Sequence, residues 1–208
     1  MTQHRRYDLV KRSLDVIVAG CALVAVSPII AVVAVLVAIN LGRPVLFRHA
    51  RPGLDGKVFT LYKFRSMRLA STSVGDDHSD SARLTRFGSG LRATSLDELP
   101  SLWNVVKGDM SIVGPRPLLV DYLARYSPDQ SRRHEVRPGI TGLAQVSGRN
   151  ALSWNDKFRL DVKYVDQRSL TVDLAIVWKT FRTVLRRDGI SSAGSVTMDE
   201  FKGDASRS

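Results

Sequence analysis

The sequence predicts an α/β protein that is mostly helical with a small β-hairpin, attached to a membrane by its N-terminal helix and by amphipathic interfacial helices. An apolar run without charge extends from Val16 to Leu41, a strand-turn-strand pattern follows it, and the remainder alternates amphipathic segments with glycine and proline. These three observations predict two parts, a helix-turn-helix membrane segment over residues 1–42 and a cytosolic domain over residues 43–208.

The uncharged run has about 26 residues, which as a straight helix would cross a hydrocarbon core of roughly 30 Å. Its middle contains Ser27-Pro28. Proline removes a backbone donor and clashes with the preceding turn, so we expect two arms of about 12 residues, each reaching only about 18 Å. Ser27 is expected to help satisfy the carbonyls that the break frees. The sequence therefore predicts a re-entrant, proline-broken helix that enters the membrane and returns.

Basic residues on both sides of the run indicate where its ends lie. Because positive charge favours the cytoplasmic side, both ends are predicted to be cytosolic, as in a hairpin. A single-pass anchor with basic flanks is the alternative, whereas a signal peptide is disfavoured because no small-residue cleavage site follows. The flanking cations are Arg5, Arg6, Lys11 and Arg12 before the run, and Arg43, Arg48, Arg51 and Lys57 after it.

The amino-acid composition limits the classes of binding partner that we expect. A formal charge of +11 and a pI near 10.3 favour anionic partners, among which nucleic acid, acidic lipid headgroups and phosphorylated small molecules qualify. Aromatic residues make up only 7% and are not interleaved with a basic run, so nucleic acid is not expected. Cys21 is the single cysteine, which excludes a disulfide or thiolate zinc site within one chain.

After the apolar run the sequence predicts a hairpin, because Val45 to Phe47 and Val58 to Met67 have strand composition around a turn at Gly53 to Gly56. Residues 70–82 are rich in Ser, Asp and Gly and predict a mobile loop. Further along we expect helices over residues 95–107 and 118–126, a turn-rich connection over 108–117, and a loop or strand pair over 138–149.

The segment from Asp173 to Arg187 is predicted to be an amphipathic basic helix ended by Gly189. Its apolar positions could pack against the domain core or dock on an anionic membrane surface, and the sequence leaves both open. The apolar positions are Leu174, Val177, Phe181, Val184 and Leu185, and the basic ones are Lys179, Arg182, Arg186 and Arg187.

An acidic pair, Asp97 and Glu98, is the sharpest local signal for chemistry. Ser95 and Glu98 match a capping box, which predicts that a helix begins here and that its dipole favours an ionised Asp97. An N-cap at Asp97 itself would also fit. Acidic residues are common in a first helical turn, so the pattern alone is compatible with a purely structural role.

Cations beside small or turn residues accompany this pair. Arginine presents a planar fork that matches phosphate oxygens, and prolines hold a loop rigid enough to orient it. Several such cations with a carboxylate pair suggest a diphosphate site in which Mg²⁺ bridges carboxylate and phosphate oxygens. The cations are Lys63 and Arg65 in KFRSM, Arg92, Arg116 in GPRP, and Arg149 in SGRN.

Five motifs in order along the chain resemble one family, the bacterial sugar transferases, which are monotopic polyprenyl-phosphate phosphoglycosyl transferases. The Ser27-Pro28 break also resembles that family's re-entrant membrane helix. The motifs are Lys63–Met67, Leu91–Pro100, Trp103-Asn104 with Gly108–Ser111, Val113–Pro117, and Pro138–Gly142 through Ser147–Arg149.

The resemblance implies that residues 43–208 are catalytic and that the reaction has two steps. Asp97 matches the nucleophile that attacks the sugar-bearing phosphorus of a UDP-sugar, expels UMP and forms an aspartyl phosphosugar, which polyprenyl phosphate then captures. Glu98 matches the second acidic residue, with a role in placing Mg²⁺ or in deprotonating the acceptor. Asp97 and Glu98 are the implied metal ligands, and Lys63, Arg92, Arg116 and Arg149 match cations that hold substrate phosphate.

The implied setting is the cytoplasmic face of the inner membrane, with both termini cytosolic and membrane lipids as partners, at the first membrane step of glycoconjugate synthesis. Small members that this chain resembles use N-acetylated sugars of the diacetamido type, although UDP-GalNAc, UDP-GlcNAc and related acetamido sugars stay open. The sequence also leaves a homo-oligomer open. The alternatives are a membrane-tethered basic module that binds acidic lipid or nucleic acid without catalysis, and a phosphohydrolase using the same carboxylates.

Overall fold

The computed structural model describes residues 5–69, 83–148 and 152–186, together with 200, 201 and 203. The loop expected over residues 70–82, and Arg149, lie outside these residues. Helices in the described residues are α1 Arg5–Leu41, α2 Arg86–Ala93, α3 Ser101–Lys107, α4 Pro128–Ser131, α5 Leu143–Ser147, α6 Trp154–Gln167 and α7 Leu170–Arg186. Strands are β1 Leu46–Pro52, β2 Val58–Phe64, β3 Ser111–Val113 and β4 Gly139–Thr141.

Helix α1 runs through Pro28 without interruption, so the expected turn between two helices is not formed. Proline at this position removes the hydrogen bond to the carbonyl of Val24, four residues earlier. The Ser27 hydroxyl donates to that same carbonyl at 2.8 Å and restores a partner for it. The helical backbone therefore continues past the proline, and the Ser27 hydroxyl is the partner of the carbonyl that the proline frees.

Both arms of α1 pack against the domain, while the stretch around Pro28 does not. Before the proline, Ala19 is fully buried in a cluster with Leu61 of β2 and Val105 of α3. After it, Val33 and Val37 are buried with Phe64 at the end of β2. Residues 20–32 between these contacts include none that is buried. Two separated parts of one helix thus contact neighbouring parts of one strand, and the apolar middle projects away from the domain.

Polar contacts tie both ends of α1 to the domain. Near its beginning, Arg12 donates to the carbonyls of residues 105 and 106 at the C-terminal end of α3. Asp15 is buried and accepts from the Ser111 hydroxyl at 2.7 Å and from the Ile112 amide at 3.1 Å. At the far end, the buried guanidinium of Arg65 donates to the carbonyls of residues 41, 42 and 43. Arg65 therefore caps the C-terminal end of α1, and its guanidinium is occupied by backbone carbonyls.

The predicted hairpin is confirmed. Strands β1 and β2 pair antiparallel with Lys63 opposite Phe47 and Arg51 opposite Phe59. A second, two-stranded sheet is formed by β3 and β4, which are parallel and lie within the segments expected as a turn-rich connection and as a loop or strand pair. A Cβ atom on Gly114 would lie 2.4 Å from the Arg137 carbonyl oxygen, so glycine permits the close approach of the two chains after β3.

Two predicted helices differ from the structure. The helix expected over Ser95–Lys107 is divided into a 3₁₀ turn, Leu96–Glu98, and α3, because Pro100 cannot continue the hydrogen-bonded ladder. Residues 120–125 form a 3₁₀ segment where a longer helix over 118–126 was expected. Helix α6 was not predicted at all, although Phe158 on it is the centre of an aromatic cluster with Tyr122, Tyr126 and Phe201.

The predicted amphipathic helix is present as α7, and its orientation decides between the two alternatives for its apolar face. Asp173 and Ile176 face the domain and are buried. Leu174 and Phe181 are 60% and 59% exposed, and Trp178 beside them is 67% exposed. Packing of Leu174 and Phe181 against the core is therefore wrong. Of the apolar positions identified in the sequence, Leu174, Val177 and Phe181 face outward, and the side chains of Val184 and Leu185 lie outside the described part of the chain.

Candidate active site

Asp97 lies in the 3₁₀ turn Leu96–Glu98, between α2 and α3, and is 9% exposed. The capping box predicted for this turn is not formed, since Ser95 adopts a left-handed conformation with φ of 57° and its side chain makes no cap. The alternative N-cap at Asp97 is not formed either, because α3 begins after Pro100. The acidic pair is therefore positioned by tertiary packing and by the left-handed Ser95, and not by a capped helix terminus.

Glu98 is held by two cations that arrive from different parts of the fold. Lys63 at the end of β2 donates to its Oε1 atom at 2.6 Å. Arg116, in the loop after β3, donates to the same oxygen at 2.9 Å. The carboxylate of Glu98 thus joins the hairpin and the proline-rich loop. Among the residues that the structure describes, no side chain donates a hydrogen bond to the neighbouring Asp97.

These surroundings shift the pKa values of the two adjacent carboxyl groups in opposite directions. Burial, and then the negative charge of Glu98, raise the pKa of Asp97 to about 6 even though Lys63, Arg116 and Arg92 oppose the shift. Burial by itself would raise the pKa of Glu98 as well, but the charges and hydrogen bonds of Arg116 and Lys63 outweigh it and lower that pKa to about 2. The predicted dipole effect on Asp97 is wrong, because burial dominates over a single short turn.

Arg92, at the end of α2, is oriented by the segment that follows β2. Its Nε atom donates to the Ser66 hydroxyl at 2.9 Å, and this contact leaves the two terminal nitrogens of the guanidinium for other partners. Helix α2 approaches this segment closely because Gly88 has no side chain: a Cβ there would lie 1.8 Å from the Ser66 carbonyl oxygen. The glycine therefore helps set the position of Arg92.

A buried ion pair contacts the backbone of the loop that carries Arg116. Arg133 donates from Nη2 to Asp161 on α6 at 2.7 Å, and both side chains are nearly inaccessible to solvent. The same nitrogen donates to the backbone carbonyl of Arg116, also at 2.7 Å. Tyr126 accepts a further hydrogen bond from this guanidinium. Arg133 therefore acts on the site through the backbone of Arg116.

An open cleft with a cavity volume of about 100 Å³ lies beside the acidic pair. Glu98, Lys63 and Arg116 line it with charged groups, and Leu61, Met110 and Ile140 contribute apolar surface. Cationic groups next to an apolar wall suit a ligand that combines phosphate with a flat or apolar group. A nucleotide is one ligand of this description.

The structure brings together most of the predicted site. Asp97, Glu98, Lys63, Arg92 and Arg116 form one cluster, since the three cations all act on the pKa of Asp97. Arg149, the remaining predicted phosphate ligand, lies outside the described residues. Sequence reasoning missed the supporting residues Ser66 and Arg133. Ser66 is part of the KFRSM motif, and its closeness to Lys63 in the sequence could have identified it. No local sequence pattern distinguishes the buried Arg133 from arginines on the surface.

The acidic pair fits the predicted magnesium site. Asp97 accepts no hydrogen bond from the described residues, and Glu98 uses only one carboxylate oxygen for its two ion pairs. Within those residues there is no cluster of three or more His, Cys, Asp or Glu side chains able to hold a metal. Mg²⁺ commonly takes one or two carboxylates, several waters and substrate phosphate oxygens, which is the kind of set that Asp97 and Glu98 could complete with a diphosphate.

Comparisons with known proteins agree on one family. The model of the family described as bacterial sugar transferase matches residues 6–187. An uncharacterized sugar transferase, EpsL of Bacillus subtilis, is 51% identical over 94% of this chain and 96% of its own length. The undecaprenyl-phosphate galactose phosphotransferase of Salmonella typhimurium is 40% identical over 89% of this chain. An undecaprenyl-phosphate N-acetylgalactosaminephosphotransferase of Aeromonas hydrophila is 40% identical over 86% of this chain. The chain spans 42% and 44% of these two longer relatives.

Proposed function

This chain belongs to the bacterial sugar transferase family, and from that membership we propose that it transfers a sugar-1-phosphate from a UDP-sugar to polyprenyl phosphate at a membrane surface. The observation that carries the proposal is the state of Asp97, a buried carboxyl group with a pKa of about 6, among three cations and next to an ion-paired Glu98. Such a group is ionised at neutral pH, and no described residue donates a hydrogen bond that would weaken it as a nucleophile.

In the first step Asp97 attacks the sugar-bearing phosphorus. A bond forms between a carboxylate oxygen and phosphorus, and the bond from phosphorus to the bridging oxygen breaks, so that UMP leaves with the bonding electrons. In the second step an oxygen of polyprenyl phosphate attacks the same phosphorus and releases the Asp97 carboxylate. The product is a polyprenyl diphosphosugar. Two displacements at one phosphorus each have a lower barrier than one direct transfer between distant substrates.

The cations are proposed to bind and orient the phosphates. Lys63 and Arg116 are held by Glu98, and the charges of both cations act on Asp97. Arg92 offers the guanidinium nitrogens that Ser66 leaves open. Positive charge placed in advance around the phosphorus stabilises the negative charge of each transition state. Glu98 thus contributes by keeping two cations in position, and Arg149 is proposed as a fourth phosphate ligand.

Magnesium is proposed as the cofactor, with Asp97 and Glu98 as its protein ligands. When bound, Mg²⁺ would offset charge on the diphosphate and so assist departure of UMP. The support for this assignment is the oxygen atoms that the pair leaves open, as described above. Addition of a chelating agent is expected to abolish UMP release, and Mg²⁺ in excess is expected to restore it.

The membrane part of the proposal is that α1 enters the inner membrane from the cytoplasm, bends at Pro28 within one continuous helix, and returns. By length and composition α1 could also cross a membrane. The returning arrangement is supported by the polar contacts that bind both ends of α1 to the same domain, through Arg12 and Asp15 at one end and Arg65 at the other. A helix that crosses would place its two ends about 30 Å apart, on opposite sides of the bilayer.

Helix α7 is proposed to lie on the surface of the same membrane. Leu174, Trp178 and Phe181 present apolar area to the outside, and Lys179 and Arg182 are exposed next to them. Apolar side chains that enter the acyl boundary, flanked by cations for anionic headgroups, are typical of an interfacial helix. This placement would hold the acidic pair at the depth where a polyprenyl phosphate keeps its headgroup.

The sugar is proposed to be N-acetylated, of the diacetamido deoxysugar type or a relative such as GalNAc. One relative is named for galactose and another for N-acetylgalactosamine, so related chains differ in this respect. A panel of UDP-sugars, assayed with Mg²⁺ and undecaprenyl phosphate, tests the function and the sugar together. The proposal requires release of UMP from at least one member of the panel. Release of UDP, hydrolysis without transfer, or no turnover of any sugar nucleotide would contradict it.

A further inference from the structure

Arg51 is a partly buried cation for which the described part of the chain provides no counter-ion. It lies on β1, opposite Phe59 of β2. Its Nε atom is buried without a hydrogen-bond partner, and the guanidinium as a whole makes no ion pair with any described side chain. Charged groups withdrawn from water are normally paired or bound to a ligand, so this arrangement needs a physical reason.

The position of Arg51 directs it to the cleft beside the acidic pair. Side chains two and four residues apart on a strand share one face, and the register places Arg51, Phe59, Leu61 and Lys63 on the same face of the hairpin. Arg51 and Lys63 both line the cleft, together with Glu98 and Arg116. Lys63 is four residues, or about 13 Å, along the strand from the residue that pairs with Arg51.

In the protein without a ligand, the surroundings of Arg51 disfavour its charged form. Burial and then the positive charge of Arg116 lower the pKa of Arg51, so both effects act against its charged form. Glu98, the carboxylate on this cleft, is already shared by Lys63 and Arg116. An anion arriving in the cleft would relieve the repulsion between Arg51 and Arg116 and would provide the missing partner.

We propose that Arg51 binds a phosphate group of the nucleotide donor, the one that leaves with UMP. This inference rests on the proposed function, which places the sugar-bearing phosphate at Asp97, near Glu98 and Arg116. The other anionic group of a UDP-sugar is the phosphate attached to the nucleoside. Arg51, which lines the same cleft as Lys63 and Arg116, would hold that phosphate through the guanidinium fork and would bind the UMP product in the same way.

The test measures binding of UMP and of a short-chain prenyl phosphate to the full-length protein by titration calorimetry. We expect R51Q to weaken the affinity for UMP by about 10- to 100-fold, the usual range for a lost hydrogen bond to a charged group. R51K should keep part of the affinity because it retains the charge. R48Q is the matched control, since Arg48 is exposed on the other face of the same strand. Affinity for the prenyl phosphate should be unchanged in all three variants.

The outcomes separate this inference from the proposed function. UMP affinity equal to wild type in R51Q would overturn the role of Arg51, even if the wild-type enzyme releases UMP from a UDP-sugar. Weakened binding of the prenyl phosphate alone would assign Arg51 to the acceptor and would also overturn it. A melting temperature of R51Q clearly below that of R48Q would indicate a structural partner, again against the inference. Failure of the proposed function would instead appear as no UMP release by the wild-type enzyme.

Discussion

At the scale of single residues, the site depends on two adjacent carboxyl groups with opposite environments. Asp97 is buried and accepts no hydrogen bond from the described part of the chain, whereas Glu98 accepts from Lys63 and Arg116. The ionised form of Asp97 therefore destabilises the folded protein, and ionised Glu98 stabilises it by neutralising two cations. The difference leads to two predictions of opposite sign.

Replacing Asp97 by Asn is expected to abolish turnover and to stabilise the protein at pH 8. The pKa of Asp97 is raised from 3.8 to about 6, so its ionised form destabilises the folded state by about 3 kcal/mol once the pH exceeds 6. Below pH 3.8 the group is protonated in both the folded and unfolded states, and the gain should vanish. Denaturant unfolding at pH 8 and at pH 3.5 checks this. A variant that is less stable than wild type at pH 8 would contradict the account.

Replacing Glu98 by Gln is expected to destabilise the protein by about 3 kcal/mol at pH 7. The pKa of Glu98 is lowered from 4.5 to about 2, so its contribution is fully present above pH 4.5 and is lost as the pH falls towards 2. The difference between variant and wild type should therefore shrink in acid. Chemical denaturation at pH 7 and pH 3 measures it. An equal stability at pH 7 would show that Lys63 and Arg116 do not need this carboxylate.

At the scale of secondary-structure elements, the orientation of α7 determines which of its side chains are available to a membrane surface. The helix buries Asp173 and Ile176 and turns Leu174, Trp178 and Phe181 outward. Tyr164 and Lys11 both donate to Asp173, which fixes this orientation from α6 and from α1. The exposed apolar side chains are thus a property of a well-anchored helix, which is consistent with an interfacial role.

Substituting Ser for both Leu174 and Phe181 is expected to weaken binding of the detergent-free protein to vesicles with anionic lipid by at least about tenfold. The two side chains together lose apolar area that would enter the acyl boundary. Vesicle co-sedimentation measures the effect, and UMP release in detergent serves as the check that the site is intact. A175S, on an exposed position of the same helix, is the control. Binding equal to that of A175S would remove α7 from the membrane interface.

The elements also show what the sequence could predict. The β1–β2 hairpin and α7 have strong periodicity, and both are confirmed. The local structure of Asp97 and Glu98 was predicted wrongly, because the left-handed Ser95 and Pro100 replace the expected capping box. Helix α6 and the buried Arg133 depend on contacts between distant parts of the chain, and no local pattern reports such contacts.

At the scale of the whole molecule, α1 is long and apolar enough to cross a membrane and is also part of the domain core. Ala19 before Pro28 and Val37 after it are each fully buried against the same hairpin or its neighbours. Arg65 connects the end of α1 to β2, and Ser66, the next residue, orients Arg92. Two adjacent residues after β2 thus contact the end of α1 and the guanidinium of Arg92.

Both termini are expected on the cytoplasmic side. With an epitope tag at each end, protease added to intact spheroplasts should leave both tags, and protease added to inverted membrane vesicles should remove both. The reason is that the two ends of α1 are tied to one domain through Arg12, Asp15 and Arg65. Loss of a single tag from spheroplasts would indicate a helix that crosses the bilayer and would refute the re-entrant arrangement.

The covalent step at Asp97 is the central claim, and intact-protein mass spectrometry tests it most directly. The enzyme is incubated with Mg²⁺ and the UDP-sugar that it turns over, without polyprenyl phosphate, and is quenched in acid. The account predicts a mass increase equal to one sugar phosphate, located at Asp97, absent in Asp97→Asn and discharged when polyprenyl phosphate is added. Turnover of the donor by an enzyme that never carries this adduct would contradict it.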